Sequence, residues 1–168
     1  MKKYIDFDGV IMDTYLPLFQ DYLEKRKEGI YVDDTIHVIN KNWQEVLTNS
    51  VVINDAIRVI KELNIDNTAI LTRIHSLENE GVAKINFLRS NGVRCNIILV
   101  PYQVKKTDIV SAKNNILVDD AIFNLNEWEM AGGLPIFFDT YQNNIDGWGV
   151  ENKKYPKTRT LEILKKYE

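Results

Sequence analysis

Cysteine is almost absent from this 168-residue chain: Cys95 is the single one. A lone thiol excludes an intramolecular disulfide and a cysteine-based zinc site. Cys95 precedes the apolar run NIILV and reads as a buried core atom rather than a nucleophile. Histidine is scarce too, with only His37 and His75. No apolar run approaches the roughly 20 residues that a membrane span needs. After Lys2 and Lys3 the chain goes directly into YIDFDG, with no apolar targeting region or cleavage site. These absences lead us to expect a cytoplasmic protein with no membrane partner. A strong excess of one charge is missing as well: 21 basic residues stand against 24 acidic ones, a formal net charge of −3. That balance gives no general reason to expect a nucleic-acid partner. The locally basic stretch from Glu151 to Glu168, with Lys153, Lys154, Lys157, Arg159, Lys165 and Lys166, reads as a solvated helix face.

What is present is enough apolar material for one real core, 45% of the residues, beside 27% charged residues. The length points to one domain with room for a small inserted subdomain. No repeat or low-complexity linker interrupts it; what recurs is alternation. YIDF reads as a buried strand, followed by a long mixed segment from Thr14 to about Ser50. INDAIRVIKEL reads as a helix, with Ile53, Ala56, Ile57, Ile60 and Leu63 on one stripe and Asn54 and Asp55 in its first turn. TAILT is a strand ending in Thr72, and a second helix is expected from about Leu77 to Arg89, between Ser76 as N-cap and Gly92 as stop. NIILV, NILV and PIFF are further strands, with NLNEWEMAG a helix between the last two. Strands that are continuous apolar runs and alternate with helices describe a parallel sheet covered on both faces. The ligand site of such a sheet lies beyond the carboxyl ends of its strands.

That rule bears on Asp6 and Asp8, which stand one residue apart before Gly9. Read alone, the pair fits either a turn or a metal site, because converging like charges need a positive neighbour. The rule adds Thr72 and the pair Asp119 and Asp120 to the same sheet edge, and the balance moves to a site. With carboxylates as ligands and no Cys or His beside them, the hard cation Mg2+ fits, keeping waters and taking phosphate oxygens. A carboxylate can attack phosphorus, and phosphoryl transfer then needs positive charge and a donor at the equatorial oxygens. The Thr72 hydroxyl can donate, Lys105 or Lys106 can reach the phosphate, and Asp8 can serve as acid for the leaving alcohol.

Across roughly residues 1–140 the chain resembles the haloacid dehalogenase-like (HAD) phosphohydrolase superfamily. YIDFDGV resembles its motif I and AILT its motif II, Lys105 or Lys106 would be motif III, and ILVDD resembles motif IV in its double-aspartate form. The resemblance implies an α/β, Rossmann-like three-layer sandwich with a parallel sheet of about five strands. It implies Asp6 as nucleophile and Asp8 as general acid, later the base for the attacking water. It implies Mg2+ held by Asp6, the backbone carbonyl of Asp8, and Asp119 or Asp120, with Asp120 favoured. Lys106 is favoured over Lys105 because KTDIV before ILVDD resembles the run in bacterial relatives of the deoxyribonucleotidases.

DGVIMDT and NLNEWEMAGG also resemble the small bacterial 5'(3')-deoxyribonucleotidase-type branch. In that branch the insert after motif I forms a helical cap, which here would be residues 15–50, leaving 1–14 and 51–168 as the core. The insert holds Tyr15, Phe19, Tyr22, Tyr31, His37 and Trp43. Aromatics over a phosphate site suit a flat group, while a small insert also needs aromatics simply to pack. Trp43 and Tyr15 are therefore candidate substrate contacts, as is Arg73 for added positive charge. TRIHS after motif II departs from the branch, and His75 reads as a residue at the helix start. A glycine that usually flanks motif IV is missing, and the chain is short for a nucleotidase. The expected activity is a Mg2+-dependent phosphomonoesterase acting on a small phosphorylated metabolite such as a (deoxy)nucleoside monophosphate. Its rivals are a HAD phosphatase of a sugar phosphate or a nucleic-acid end, and a non-catalytic phosphate-binding protein of the same fold. Beyond Thr140, Asp146-Gly147 reads as a turn and TRTLEILKKY as a closing helix.

Overall fold

The computed structural model describes residues 1–31, 33–139 and 154–168. In chain order the strands are β1 (Lys3–Ile5), β2 (Met12–Asp13), β3 (Val51–Val52), β4 (Thr68–Ile74), β5 (Asn96–Pro101), β6 (Ile116–Asp119), β7 (Leu134–Phe138) and β8 (Lys157–Thr158). The α-helices are α1 (Tyr15–Lys27), α2 (Asp34–Ile39), α3 (Trp43–Thr48), α4 (Ala56–Glu62), α5 (Val82–Ser90), α6 (Lys106–Ile109) and α7 (Ile122–Met130). Six strands form one parallel sheet in the order β5-β4-β1-β6-β7-β8.

Period-two alternation sends the strand residues to two cores. Tyr4, Leu71, Leu117 and Phe137 pack against Leu125 and Trp128 of α7 on one face. Ile5, Ile70, Val118 and Ile136 pack against Val59 and Ile60 of α4, Leu88 of α5, and Leu161 and Leu164 near the C-terminus. Both faces are thus buried, which is why the strands read as unbroken apolar runs. The expected three-layer α/β sandwich is observed. Trp128 is fully buried and meets Tyr4 edge to face at 5.3 Å. Such a pair adds about 0.5–1.5 kcal/mol to the burial itself. Cys95 is buried in the core of Ile5, Val59 and Leu88, where desolvation pushes its thiol up.

Several sequence expectations need correction. The sheet has a sixth strand, β8, which lies beside β7 and comes from the tail. Asn54 and Asp55 do not begin a helix: their φ values are 41° and 58°, a left-handed turn that Asn and Asp tolerate, and α4 starts at Ala56. β4 runs two residues beyond Thr72. The second helix opens with a π turn over Leu77–Gly81, which Ser76 caps by accepting from the Glu80 amide, before α5 begins. The closing helix is 3-10, over Leu161–Tyr167. The proposed turn at Asp146-Gly147 lies outside the described residues. Among those described, no helix is long and apolar enough to cross a membrane.

The insert leaves the core through β2 and returns through β3, and these two strands pair antiparallel as a stem. Between them α2 is capped by Asp33, which accepts from the Ile36 amide, and α3 by Asn42, which accepts from the amides of Gln44 and Glu45. Leu18, Phe19 and Tyr22 of α1 pack with Val38 of α2 and with Trp43, Val46 and Leu47 of α3, continuous with the core of Ile5, Val59 and Leu88.

Candidate active site

The sheet order changes direction at β1: the chain goes from β1 to β4 and β5 on one side, and to β6, β7 and β8 on the other. Side chains leaving the carboxyl ends of β1, β4 and β6 therefore meet in a crevice. The Asp6 amide still bonds the Val118 carbonyl at 3.0 Å, so Asp6 is held in register beside β6 just past the end of β1. The chain then turns sharply. The Phe7 carbonyl accepts from the amides of Ile11 and Met12 at 2.9 and 3.0 Å, and Gly9 adopts φ 73°, where a side chain would be strained. This turn leaves Asp8 on the wall of a cavity while Phe7 is fully buried beneath it.

Lys106, the first residue of α6, is buried, and its ammonium lies 2.6 Å from Asp6 Oδ1 and 2.6 Å from Asp119 Oδ2. Burial pushes the lysine down, and the two carboxylates push it further up, so it stays charged. Lys105 faces solvent, with a side chain 59% exposed. Asp119 is fully buried and also accepts from the Ala121 amide and the Asn124 side chain. Asp120 lies instead on the cavity wall. Oxygens of Asp6, Asp119 and Asp120 come within 4.8 Å of one another. Burial pushes Asp6 up to about 7 against the pull of Lys106, with Asp119 and Asp8 adding to the push. Burial and the neighbouring aspartates, Asp119 foremost, push Asp120 well above the usual carboxylate range.

A second buried lysine escaped the sequence reading. Lys84 of α5 is fully buried, with Nζ 2.5 Å from Asp8 Oδ2, 2.7 Å from Glu80 Oε1, 3.3 Å from Thr72 Oγ1 and 3.2 Å from the Arg73 carbonyl. Burial pushes its ammonium down, and Asp8 and Glu80 together push it further up. Glu80 is itself 2% exposed and also accepts from the His75 amide at 2.7 Å. The available signal was position: Lys84 follows Glu80 by four residues and sits one turn before Leu88 on the stripe that α5 buries.

The cavity measures about 600 Å³. Asp6, Asp8 and Asp120 line it together with Tyr15, Phe19 and Trp43 of the insert. Trp43 is 1% exposed and donates its indole N–H to the Val38 carbonyl at 3.3 Å. Tyr15 lies 4.8 Å from Phe19, and burial pushes its phenol up. Arg73 is also on the wall, donating to Glu127 and the Tyr102 carbonyl at 3.3 Å each, with its guanidinium 5.1 Å from the Phe123 ring. His75 stacks on Tyr102 at 4.1 Å and lines the cavity as well. Thr72 and Lys106 are not on that wall: Thr72 is fully buried against Lys84, and Lys106 lies behind Asp6.

By sequence, no family model and no curated protein matches the chain. Solved structures do match it. One is a phosphonoacetaldehyde hydrolase-like protein from Oleispira antarctica, 12% identical, with a TM-score of 0.66 over 99% of this chain and 90% of that one. Another is a haloacid dehalogenase-like hydrolase from Streptococcus pneumoniae, 12% identical, with a TM-score of 0.60 over 99% and 98%. The fold is that of the haloacid dehalogenase-like hydrolases. A third structure with the HAD fold, a putative hydrolase from Bacillus subtilis bound to magnesium, is 15% identical, with a TM-score of 0.59 over 99% and 97%. At such identities the match shows the fold alone.

Proposed function

We propose that the protein is a Mg2+-dependent phosphomonoesterase that works through an aspartyl-phosphate on Asp6. The observation that carries this reading is the cluster of Asp6, Asp119 and Asp120, in which the buried Lys106 bridges Asp6 and Asp119, with Asp8 beside it on the cavity wall. The donor set fits Mg2+: it is all oxygen, and two of its carboxylates are pushed up by burial and by the like charges beside them, which a cation would relieve. Asp6, Asp120 and the Asp8 carbonyl would hold the ion, which would offset the negative charge of a phosphate brought beside these carboxylates. Asp119, already bonded to Lys106, Ala121 and Asn124, would orient that set from behind.

In this mechanism a free oxygen of Asp6 attacks phosphorus, and the bond to the leaving oxygen breaks. Asp8 donates a proton to that oxygen as it departs. Asp8 then takes a proton from a water that attacks the phosphorus, which returns the Asp6 carboxylate and releases inorganic phosphate. Lys106 keeps Asp6 turned toward the cavity throughout. Arg73, on the cavity wall, would contribute donors to the phosphate, while Thr72, buried against Lys84, would support the site from behind. The helical insert would act as the cap, and its Tyr15, Phe19 and Trp43 favour a substrate with a flat group, such as a (deoxy)nucleoside monophosphate, met in the cytoplasm.

The test is phosphate release from nucleoside monophosphates, sugar phosphates and 5'-phosphorylated oligonucleotides, with and without Mg2+. We expect Mg2+-dependent turnover, fastest on the nucleotides. Turnover confined to sugar phosphates or oligonucleotides would remove the nucleotide from the reading, and no Mg2+-dependent turnover on any class would overturn it.

The shifted aspartates also predict how Mg2+ alters stability. Asp6 and Asp120 titrate higher folded than unfolded, so between the unfolded carboxylate range and about pH 7 the folded protein binds more protons. Without metal, the contribution of Asp6 to stability is fully present below the unfolded range and is lost as pH rises through about 7, and the raised Asp120 acts in the same direction. Bound Mg2+ displaces those protons, so it should stabilise more as pH rises. At about 100 times its Kd, Mg2+ should add about 2.7 kcal/mol. Thermal melts should show a larger Mg2+ increment near pH 8 than near pH 5, and equal increments would contradict the assignment.

A further inference from the structure

The mechanism above uses Lys106 and leaves Lys84 without a task. A fully buried ammonium costs several kcal/mol to desolvate unless its partners are well placed. Here the partners converge from separate parts of the fold: Asp8 from the turn after β1, Glu80 from the π turn, and Thr72 from within β4. The Trp43 ring of the insert lies 4.8 Å from the same nitrogen, and the Phe7 ring 5.3 Å.

The local backbone is built to allow this. The π turn over Leu77–Gly81 carries Glu80 inward one turn ahead of Lys84, and π turns recur at functional sites. Gly81 closes that turn against β4 and β5: a Cβ there would lie 2.9 Å from Leu99 Cδ1 and 3.2 Å from Ile74 Cδ1. The other oxygen of Asp8 accepts from the Thr14 hydroxyl at 2.8 Å. The Asp8 carboxyl is therefore gripped at both oxygens, by Thr14 where the insert begins and by Lys84 from α5. Its side chain is still 32% exposed toward the cavity.

We propose that Lys84, anchored by Glu80, is a positioning residue that fixes the orientation of Asp8 for proton transfer to the leaving group. This rests on the reading of Asp8 as the general acid. In that step the electrons of the breaking P–O bond go to the leaving oxygen, which takes the proton from Asp8. The resulting Asp8 carboxylate stays in place between Lys84 and Thr14. Losing the grip would leave Asp6 free to attack but would misalign the proton donor. The penalty should therefore fall on poor leaving groups, which need the proton, and spare good ones.

The experiment compares pre-steady-state release of the leaving group from a nucleoside monophosphate and from p-nitrophenyl phosphate, for wild type, Asp8→Asn, Glu80→Gln and Lys84→Met/Glu80→Gln. The double variant removes the cation together with one of its anions, so that less charge is stranded in the core. We expect Asp8→Asn to slow the nucleotide by at least about 100-fold more than the nitrophenyl ester. The double variant should approach that ratio. Glu80→Gln, which keeps Lys84 but loosens its anchor, should show about a 10-fold ratio and serves if the double variant does not fold. A large ratio for Asp8→Asn beside equal slowing of both substrates in the Lys84 and Glu80 variants would overturn the proposal and leave Asp8 as the acid. No ratio for Asp8→Asn would overturn the reading on which the proposal stands.

Discussion

Asp6→Asn should lower Mg2+-dependent phosphate release by about 10⁴-fold or more, the scale on which loss of a covalent nucleophile is felt. An amide oxygen is a poor nucleophile, and no other carboxylate shares its place: Asp119 is enclosed by Lys106, Ala121 and Asn124. The same substitution should not weaken the fold. Burial already works against the Asp6 charge, holding its carboxyl up at about 7, and Lys106 would retain Asp119 as a partner. Melts of metal-free protein near pH 8 should therefore show Asp6→Asn as stable as wild type, or more so. A catalytic group kept at a cost to stability behaves in this way. Activity within about tenfold of wild type would sink Asp6 as the nucleophile.

The contrast between Asp6 and Lys84 shows which parts of this molecule a single sequence exposes. The strands were legible because burial on both faces makes them unbroken apolar runs, and the aspartates because they punctuate the ends of those runs. β8 was not legible: two residues, Lys157 and Thr158, carry no pattern, and only the neighbouring β7 makes them a strand. Asn54 and Asp55 suited a helix start by charge, but their left-handed φ values depend on how the chain re-enters the core after β3. The insert helices α2 and α3 had readable caps in Asp33 and Asn42, yet their lengths of 6 residues each hid the period. Lys84 was missed because an amphipathic stripe is read by its apolar members. A charge on the buried side becomes intelligible only when Asp8, distant in sequence, supplies the counter-charge.

The choice between the adjacent lysines yields the other large effect. Lys106→Met removes the ammonium that holds Asp6 and Asp119 together, each at 2.6 Å, and leaves two buried carboxylates facing one another. Breaking a buried pair from one side costs about 3–5 kcal/mol. The protein can recover part of that by binding protons, so the loss in metal-free urea melts should be smaller near pH 5 than near pH 8. Turnover should fall as well, by about 10²–10³-fold, the range seen when one preorganised electrostatic donor is removed. Lys105→Met is the control. That side chain is 59% exposed and lies 3.9 Å from Glu127, a contact of the kind worth at most about 1 kcal/mol. It should leave both stability and turnover near wild type. If instead Lys105→Met abolished activity while Lys106→Met kept it, the bridge between Asp6 and Asp119 would be dispensable. The electrostatic arrangement proposed for the site would then be wrong at its centre.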